Sequence, residues 1–328
     1  MSIKVFPPLN VGIVGTGYAA KKRAEAIQAD SRAQLVAVTG NTPERIAQFC
    51  ETFSISPVDS WVRLVDRSDL DLIVVCTINR DCGAIALAAL KAGKHVVVEY
   101  PLALKAELAA EIIELAKTNN KLIHVEHMEI IGGLHQAIKH HLPQIGKVFR
   151  ARYATIAAQK SNSQSWKYNR DTFGFPLAAA LSRIHRLTDL FGKVESVDCR
   201  DRYWGESSSN YFQACLCEAR LNFTDDIVAE IVYGKGDVFH QSSRTFEIYG
   251  ESGTIIFEGE KGKLIKNKQA IDIPVASRRG LFARDTEMVL DYLCTGNPLY
   301  IEPQASLYAL QVANAAERSC SLKEMVYL

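Results

Sequence analysis

Two arginines stand three residues apart, Arg183 and Arg186, in the segment 176–191, which reads PLAAALSRIHRLTDLF. The apolar residues of this segment recur at helical spacing and Pro176 suits a first helical position, so the pattern predicts one helix. On that helix the two arginines lie about 60° apart and flank the apolar stripe. Guanidinium groups there could bind carboxylates or stabilise negative charge that develops in a reaction, and we name Arg183 and Arg186 as candidate catalytic residues. Two solvated helix arginines are the alternative interpretation.

A glycine-rich stretch near the N-terminus has the spacing of a pyrophosphate-binding turn. Residues 11–20 read VGIVGTGYAA, so Gly15 and Gly17 follow an apolar run and precede a helix-forming segment. The first glycine permits a strained turn, the second lets the backbone approach a pyrophosphate, and a small third residue, Ala20, allows close packing. The start of the helix offers N–H groups to the phosphates. The predicted cofactor contacts in this turn are Gly15, Thr16, Gly17, Tyr18 and Ala19.

The end of the second predicted strand, residues 34–39, bears on the choice between NADH and NADPH. Proteins selective for NAD usually carry an acidic residue there, which binds the ribose 2′-hydroxyl. This chain has Asn41 and Thr42 instead, and Arg45 could bind a 2′-phosphate. We therefore predict NADPH as the cofactor, with NADH as a weaker possibility. A solvated Arg45 beside Glu44 is the alternative.

Two further strand ends supply polar candidates. Residues 71–77 and 94–99 are continuous apolar runs, typical of strands buried on both faces of a parallel sheet. Open α/β sheets bind ligands beyond the carboxyl ends of such strands. The cofactor contacts predicted there are Thr77, Ile78, Asn79, Glu99 and Tyr100. Glu99 and Tyr100 are also candidate catalytic residues.

Other cationic and imidazole side chains could bind an acidic substrate. Arg244 follows a glycine-broken strand, and the run SRRGLF at 277–282 combines cations with an aromatic side chain. His127 follows a predicted strand at 121–125, and a core or hinge histidine is an equally good interpretation of it. Surface charge is the alternative for the arginines. The candidate substrate contacts are Arg183, His127, Arg244, Arg278 and Arg279.

The composition excludes several classes of function. The net charge over 328 residues is +1, so no global field attracts nucleic acid or a membrane surface. No apolar run approaches the roughly 20 residues that span a bilayer, and the first residues lack the apolar core of a signal peptide. The eight cysteines include no CxxC pair, so we predict no metal site. We expect a cytoplasmic protein, monomeric or homodimeric, that acts on a small molecule.

The order of elements predicts an α/β protein with two domains. Strands and helices alternate over residues 1–125, which is the pattern of a doubly wound parallel sheet of the Rossmann type that binds NADP. Residues 126–328 contain short alternating strands with an interposed helix. They predict an α+β substrate-binding domain with a large, mostly antiparallel sheet that is open on one face.

The glycine turn together with Glu99-Tyr100-Pro101 resembles the oxidoreductase family that includes glucose–fructose oxidoreductase and inositol dehydrogenase. In that family the motif usually reads Glu-Lys-Pro, with the lysine in the active site. The family also often places a histidine on the later helix as acid and base, at the position that Arg186 occupies here. This chain lacks both groups, which argues against chemistry on a sugar or polyol.

A closer resemblance covers nearly the whole chain. GIVGTGYAA, VEYPLAL, HVEH, GFPLAAALSRIHRLTDLFG, YGKGDVFHQ, SRRGLF and SLYAL are similar to the biliverdin reductases of cyanobacterial type. The resemblance implies reduction by NADPH of the C10 methine bridge of biliverdin IXα to give bilirubin, with Arg183 as the essential arginine on the substrate side. The alternatives are an NAD(P)-dependent sugar or dihydrodiol dehydrogenase of the same fold, and a regulator without enzymatic activity that binds a bilin or the cofactor.

Overall fold

The computed structural model describes residues 5–162, 164–206, 208 and 210–328. The chain forms two compact units. The first contains the described residues up to Met128 together with Arg279–Leu307, and the second contains Glu129–Arg278 and Tyr308–Leu328. The sequence-based division at 125/126 placed residues 279–307 in the second domain. They pack in the first unit because Val289, Leu290 and Leu293 belong to the apolar core around its first strands.

The first unit contains a six-stranded sheet in the order β3-β2-β1-β4-β5-β6, in which every pairing is parallel. The strands are β1 (Leu9–Val14), β2 (Ala33–Thr39), β3 (Ser56–Pro57), β4 (Leu72–Val75), β5 (His95–Glu99) and β6 (Ile123–Glu126). The helices between them are α1 (Tyr18–Gln28), α2 (Pro43–Phe53), α3 (Trp61–Val65), α4 (Asn79–Lys91) and α5 (Ala106–Thr118). This is the predicted Rossmann sheet, and the strand order reverses between β1 and β4.

The second unit is built on a nine-stranded sheet. It begins with α6 (Gly133–His141), a 3₁₀ turn (Leu142–Ile145), β7 (Val148–Ala158), a second 3₁₀ turn (Trp166–Tyr168), α7 (Arg170–Phe173), α8 (Pro176–Ala179) and α9 (Ser182–Phe191). The strands that follow are β8 (Val194–Trp204), β9 (Ala214–Phe223), β10 (Val228–Gly236), β11 (Ser243–Gly250), β12 (Gly253–Glu258), β13 (Lys261–Lys266) and β14 (Gln269–Ile273). The chain ends with α10 (Leu281–Thr295), α11 (Pro303–Leu322) and β15 (Val326–Tyr327), of which α10 belongs to the first unit.

The strand order of this sheet is β14-β13-β12-β11-β7-β10-β9-β8-β15. β7 and β10 pair in parallel, and the other pairings between its described strands are antiparallel. The predicted fold class, a Rossmann sheet followed by a mostly antiparallel sheet, is confirmed. None of the helices in the described part of the chain combines the length and the apolar character needed to cross a membrane.

The two faces of the nine-stranded sheet differ in character. One face carries fully buried apolar side chains such as Ile231 and Phe246. The other carries ion pairs between neighbouring strands, as the alternating pattern predicts. The charged residues of these pairs are Arg150, Arg152, Glu230 and Glu247.

The single helix predicted over 176–191 is two helices in the structure. α8 ends at Ala179, and Ala180 has φ −102° and ψ 37°, outside the helical region. α9 then begins at Ser182, which changes the direction in which its side chains point. The helical wheel drawn over the whole segment therefore does not describe the surroundings of Arg183 and Arg186.

Candidate active site

The glycine turn lies where the strand order reverses. Gly15 has φ +120°, and a Cβ atom there would lie 2.1 Å from the carbonyl oxygen of Cys76, just beyond β4. The N–H of Gly15 donates to the carbonyl of Thr39 at the end of β2 (2.8 Å). Gly17 precedes α1, no described side chain caps that helix, and a Cβ on Gly17 would meet nothing within 4 Å. The turn therefore leaves the first N–H groups of α1 available for a pyrophosphate.

The two glycines should respond differently to alanine. We expect Gly15→Ala to lower the free energy of unfolding by about 1–3 kcal/mol, because the methyl group meets backbone and the positive φ is strained. Gly17→Ala should leave the unfolding temperature unchanged but weaken NADPH binding roughly tenfold, because its methyl group enters the space that the pyrophosphate needs. Thermal melts and fluorescence titration with NADPH measure both effects. Unchanged NADPH affinity in Gly17→Ala would argue against this binding mode.

The predicted 2′-phosphate residues lie on an exposed rim beside the glycine turn. A Cβ on Gly40 would lie 3.1 Å from Thr16 Cγ2, so the end of β2 is next to the turn. Asn41 and Arg45 are exposed, and within the described part of the chain no carboxylate forms an ion pair with Arg45. This placement is suited to binding an adenosine ribose and its phosphate.

A buried ionic network fixes the end of β5. Arg23 of α1 is 1% exposed, and its Nε donates to Glu99 Oε1 at 3.0 Å. Its Nη1 donates to the carboxylate of Asp285 and, at 3.1 Å, to Thr286 Oγ1. Asp285 and Glu99 raise the pKa of Arg23 although burial lowers it. Glu99 therefore serves to couple α1 to the carboxyl end of β5.

Asp285 gathers further partners. His124 Nε2 lies 2.9 Å from Asp285 Oδ1, and the Tyr300 hydroxyl donates to the same oxygen at 2.6 Å. Burial alone would raise the pKa of Asp285, but Arg23 and His124 outweigh it and hold that pKa well below its ordinary value. The sequence reasoning missed this network. The available signal was Arg23 itself, which shares a helical face with the apolar residues Ala20 and Ile27.

Tyr100 follows Glu99 directly and is held by an aromatic contact. Its peptide bond to Pro101 is cis, and its ring stacks on His127 with a centroid distance of 5.2 Å and an angle of 4°. His127 is fully buried, and its Nε2 lies 2.9 Å from Ser306 Oγ. The imidazole therefore supports the Tyr100 ring within the first unit. The other predicted contacts, Thr77, Ile78 and Asn79, form the connection from β4 to the first residue of α4.

In the second unit, Arg183 lies against the face of the sheet that carries the apolar side chains. Its Nε donates to Thr155 Oγ1 at 3.3 Å, and its guanidinium carbon is 5.4 Å from the centre of the Tyr233 ring. Thr155 and Tyr233 are register partners on β7 and β10, and Thr155 is also the register partner of Arg244 on β11. Arg183, on α9, therefore contacts the same row of register partners, Tyr233 and Thr155, to which the predicted substrate residue Arg244 belongs.

Arg244 is partly held by the turn that follows β12. Its Nη2 donates to the carbonyl of Gly259 at 3.0 Å and lies 3.9 Å from Glu260. Arg278 and Arg279 lie in the exposed segment 274–280, outside the Arg183 row. Arg186 is only 8% exposed, so the interpretation of two solvated helix arginines does not hold for it. His185, which follows Ile184 on α9, is also buried.

Lys235, two residues after Tyr233, is buried among aromatic rings. Its Nζ donates to the carbonyl of Lys167 and lies 3.3 Å from the centre of the Phe173 ring. The rings of Tyr168 and Phe212 are within 5.3 Å of it. Burial lowers the pKa of Lys235 to about 7. This lysine fastens the segment around Lys167 to β10 and is not available to hold a carboxylate.

Comparison with known proteins places both units in one family. The model of the oxidoreductase family, NAD-binding Rossmann fold, matches residues 9–127. The model of the oxidoreductase family, C-terminal alpha/beta domain, matches residues 139–328. Together they cover most of the two units and support a nicotinamide cofactor.

Individual relatives narrow the comparison. The crystal structure of biliverdin reductase from Synechocystis sp. PCC 6803, in complex with biliverdin and NADP+, is 52% identical to this chain with a TM-score of 0.94. The match covers 96% of this chain and 99% of that one. Biliverdin reductase A of Mus musculus is 22% identical over 99% of this chain and 100% of its own length. Levoglucosan dehydrogenase in complex with NADH shares the fold, with 18% identity, a TM-score of 0.82 and coverage of 97% and 98%. The resemblance predicted from the sequence is confirmed.

Proposed function

The chain belongs to the oxidoreductase family with an NAD-binding Rossmann fold and a C-terminal α/β domain. From that premise we propose that it is a biliverdin reductase, which transfers a hydride from NADPH to the C10 methine bridge of biliverdin IXα and releases bilirubin.

The position of the Arg183 guanidinium is the observation that supports this proposal most directly. The guanidinium lies against Thr155 and Tyr233 in a chain 52% identical to a biliverdin reductase. Tyr100 and Arg186 stand where polyol dehydrogenases of this family often carry their lysine and histidine. These departures support reduction of a conjugated, acidic substrate over oxidation of a carbinol.

The reaction requires a stabilising cation more than a base. A hydride from NADPH forms the new C–H bond at C10, the methine double bond shifts, and the electron pair moves onto a pyrrolic nitrogen. A proton on that nitrogen completes the change, and NADP+ remains. Arg183 stabilises the negative charge as it develops, which is the kind of electrostatic contribution that lowers barriers most.

Proton delivery falls to other groups. A guanidinium stays protonated because its pKa exceeds about 12, so Arg183 is a poor acid. Water or a propionic acid of the substrate supplies the proton. Glu99, held by Arg23, orders the cofactor side of the site, and Tyr100 borders the nicotinamide or stacks on the bilin.

Rapid mixing of the protein with biliverdin and NADPH tests the proposal. We expect the long-wavelength band of biliverdin and the near-ultraviolet band of NADPH to disappear together. A shifted biliverdin band with NADPH intact would indicate a carrier. Oxidation of inositol or of a dihydrodiol with NADP+ would indicate a dehydrogenase and would overturn the assignment.

Cofactor preference has a direct test at Arg45. We expect Arg45→Gln to raise the KM for NADPH roughly tenfold and to leave the KM for NADH unchanged, because a charged hydrogen bond to the 2′-phosphate is lost. Glu44→Gln, one residue away, is the matched control and should alter neither constant. Equal changes for both cofactors in Arg45→Gln would assign Arg45 no part in selecting NADPH.

We further propose that the protein acts in the cytoplasm on a small molecule, without nucleic acid or membrane partners and as a monomer or homodimer. The eight cysteines are free thiols, which suits a reducing compartment. Sedimentation of the purified protein measures its oligomeric state.

A further inference from the structure

Arg186 is a buried cation that no ion pair among the described residues balances. It lies on α9 with 8% of its surface exposed, and none of the described residues forms a hydrogen bond with its Nη1. In the described part of the chain, no carboxylate forms an ion pair with it. A buried charge in that condition costs the folded state considerably.

The acid nearest to it in sequence is committed elsewhere. Asp189 is one turn further along α9, where it could pair with Arg186. Instead, Asp189 Oδ2 lies 2.7 Å from His135 Nε2 and accepts from Lys139 Nζ at 3.1 Å. The hydrogen bond to His135 lowers the pKa of Asp189 to about 2, so this carboxylate remains charged but serves α6.

Arg23 shows how this chain otherwise treats a buried arginine. It is 1% exposed, and among the described residues one of its nitrogens, Nη2, also has no hydrogen-bond partner. Its charge, however, is balanced by Glu99 and Asp285. The missing counter-charge is therefore a property of Arg186 and not of buried arginines in general.

We propose that Arg186 is a binding site for a carboxylate of the substrate, and that its counter-ion arrives with the ligand. This rests on the proposed function, because biliverdin carries two propionates. Arg186 is three residues from Arg183 on α9, a spacing that brings side chains about 5–6 Å apart at Cβ, so one ligand can reach both. The planar guanidinium suits a carboxylate held by two hydrogen bonds. Arg183 then acts on the reacting system and Arg186 selects an acidic substrate.

The stability of the ligand-free protein gives the first test. Arg186→Met removes an uncompensated charge and keeps an apolar side chain, so we expect it to raise the unfolding temperature by roughly 4 °C. Glutarate, a simple dicarboxylate, should raise the unfolding temperature of the wild type but not of Arg186→Met. A structural role for Arg186 predicts the reverse, a less stable Arg186→Met protein.

Comparison of biliverdin with its dimethyl ester gives the second test. For the wild type we expect the KM for the ester to exceed that for biliverdin about tenfold, while kcat changes little. Arg186→Met should show for both compounds the higher KM that the wild type shows for the ester. Arg186→Lys should have a KM for biliverdin between those of the wild type and Arg186→Met. Arg220→Met, an exposed arginine on the opposite face of the sheet, should discriminate as the wild type does.

The outcomes separate the two proposals. Retained discrimination between acid and ester in Arg186→Met would overturn the inference while leaving the reductase assignment intact. A wild type that neither binds nor reduces biliverdin would refute the proposed function. The glutarate measurement then decides whether Arg186 binds carboxylates at all.

Discussion

Replacement of Arg183 by alanine is expected to lower kcat for biliverdin reduction by about 10²–10³-fold, the usual effect of removing one preorganised group that stabilises developing charge. NADPH binding should persist, because the glycine turn and the rim of Asn41 and Arg45 belong to the first unit. Steady-state kinetics with an NADPH titration separate the two effects. The loss should appear in kcat, since the interaction strengthens only as the hydride arrives.

Two further variants sharpen this test. Arg183→Lys keeps a positive charge but loses the planar fork, so part of the activity should return. Arg220→Ala removes an exposed arginine on the face of the sheet that carries the ion pairs, and it should turn over normally. Activity near the wild-type level in Arg183→Ala would exclude Arg183 from the mechanism.

Replacement of Asp285 by alanine should have the largest effect on stability. It leaves Arg23 buried, with Glu99 as its remaining ion-pair partner among the described residues, and removes the carboxylate that accepts from the Tyr300 hydroxyl. We expect a loss of about 3–5 kcal/mol, as for other broken buried ion pairs, or roughly 10 °C in the unfolding temperature. Thermal and urea denaturation measure it. The expected side effect is weaker NADPH binding, because Arg23, which joins α1 to Glu99, loses one of the two carboxylates that hold it.

α10 offers a matched control in Asp291, which pairs with Arg32 but is 36% exposed. Asp291→Ala should cost less than about 1 kcal/mol, as exposed ion pairs do. Equal decreases in the free energy of unfolding of the two variants would mean that burial does not make the Asp285 ion pair more important to stability than an exposed one.

The pH dependence of the Asp285 variant follows from the sign of the pKa shift. The pKa of Asp285 is lowered in the folded state. The contribution of the Asp285 carboxylate to stability is therefore complete above its pKa in the unfolded chain, about 4. That contribution is lost as the pH falls through its pKa in the folded protein. The free energies of unfolding of the wild type and of Asp285→Ala should differ by the full amount at pH 7, and the difference should disappear only in strong acid.

Local pattern was sufficient for much of the fold. Continuous apolar runs and glycine residues at turns identified the strands of the first sheet except the two-residue β3, and alternation identified most strands of the second sheet. The break at Ala180 was missed because no proline or glycine marks it and the apolar periodicity continues across it. β15 was missed because two residues carry no periodic signal and pair with β8 only through tertiary contact.

The candidate site was predictable to the extent that it is local in sequence. The glycine turn is contiguous, and Arg183 was identified from its spacing to Arg186 on the predicted helix and from the resemblance, whose motifs depart from the general family pattern. The network of Arg23 and Asp285 joins residues 262 positions apart, which no short motif reports. The burial of Arg186 likewise depends on how α9 packs, because the helical wheel placed Arg186 at the edge of the apolar stripe, where it could be buried or solvated.

The interrupted first unit has a consequence for biosynthesis. The ribosome releases β1 to β6 well before α10. Residues of α10 are nevertheless part of the first unit, since Val289, Leu290 and Leu293 complete the apolar core around its strands and Asp285 pairs with Arg23. The nascent nucleotide-binding half must therefore wait, unfinished, while more than a hundred further residues are translated. A fragment ending near residue 128 lacks these groups, because they are encoded after the whole of residues 129–278. A recombinant cofactor-binding module should instead join residues 279–307 to the N-terminal half.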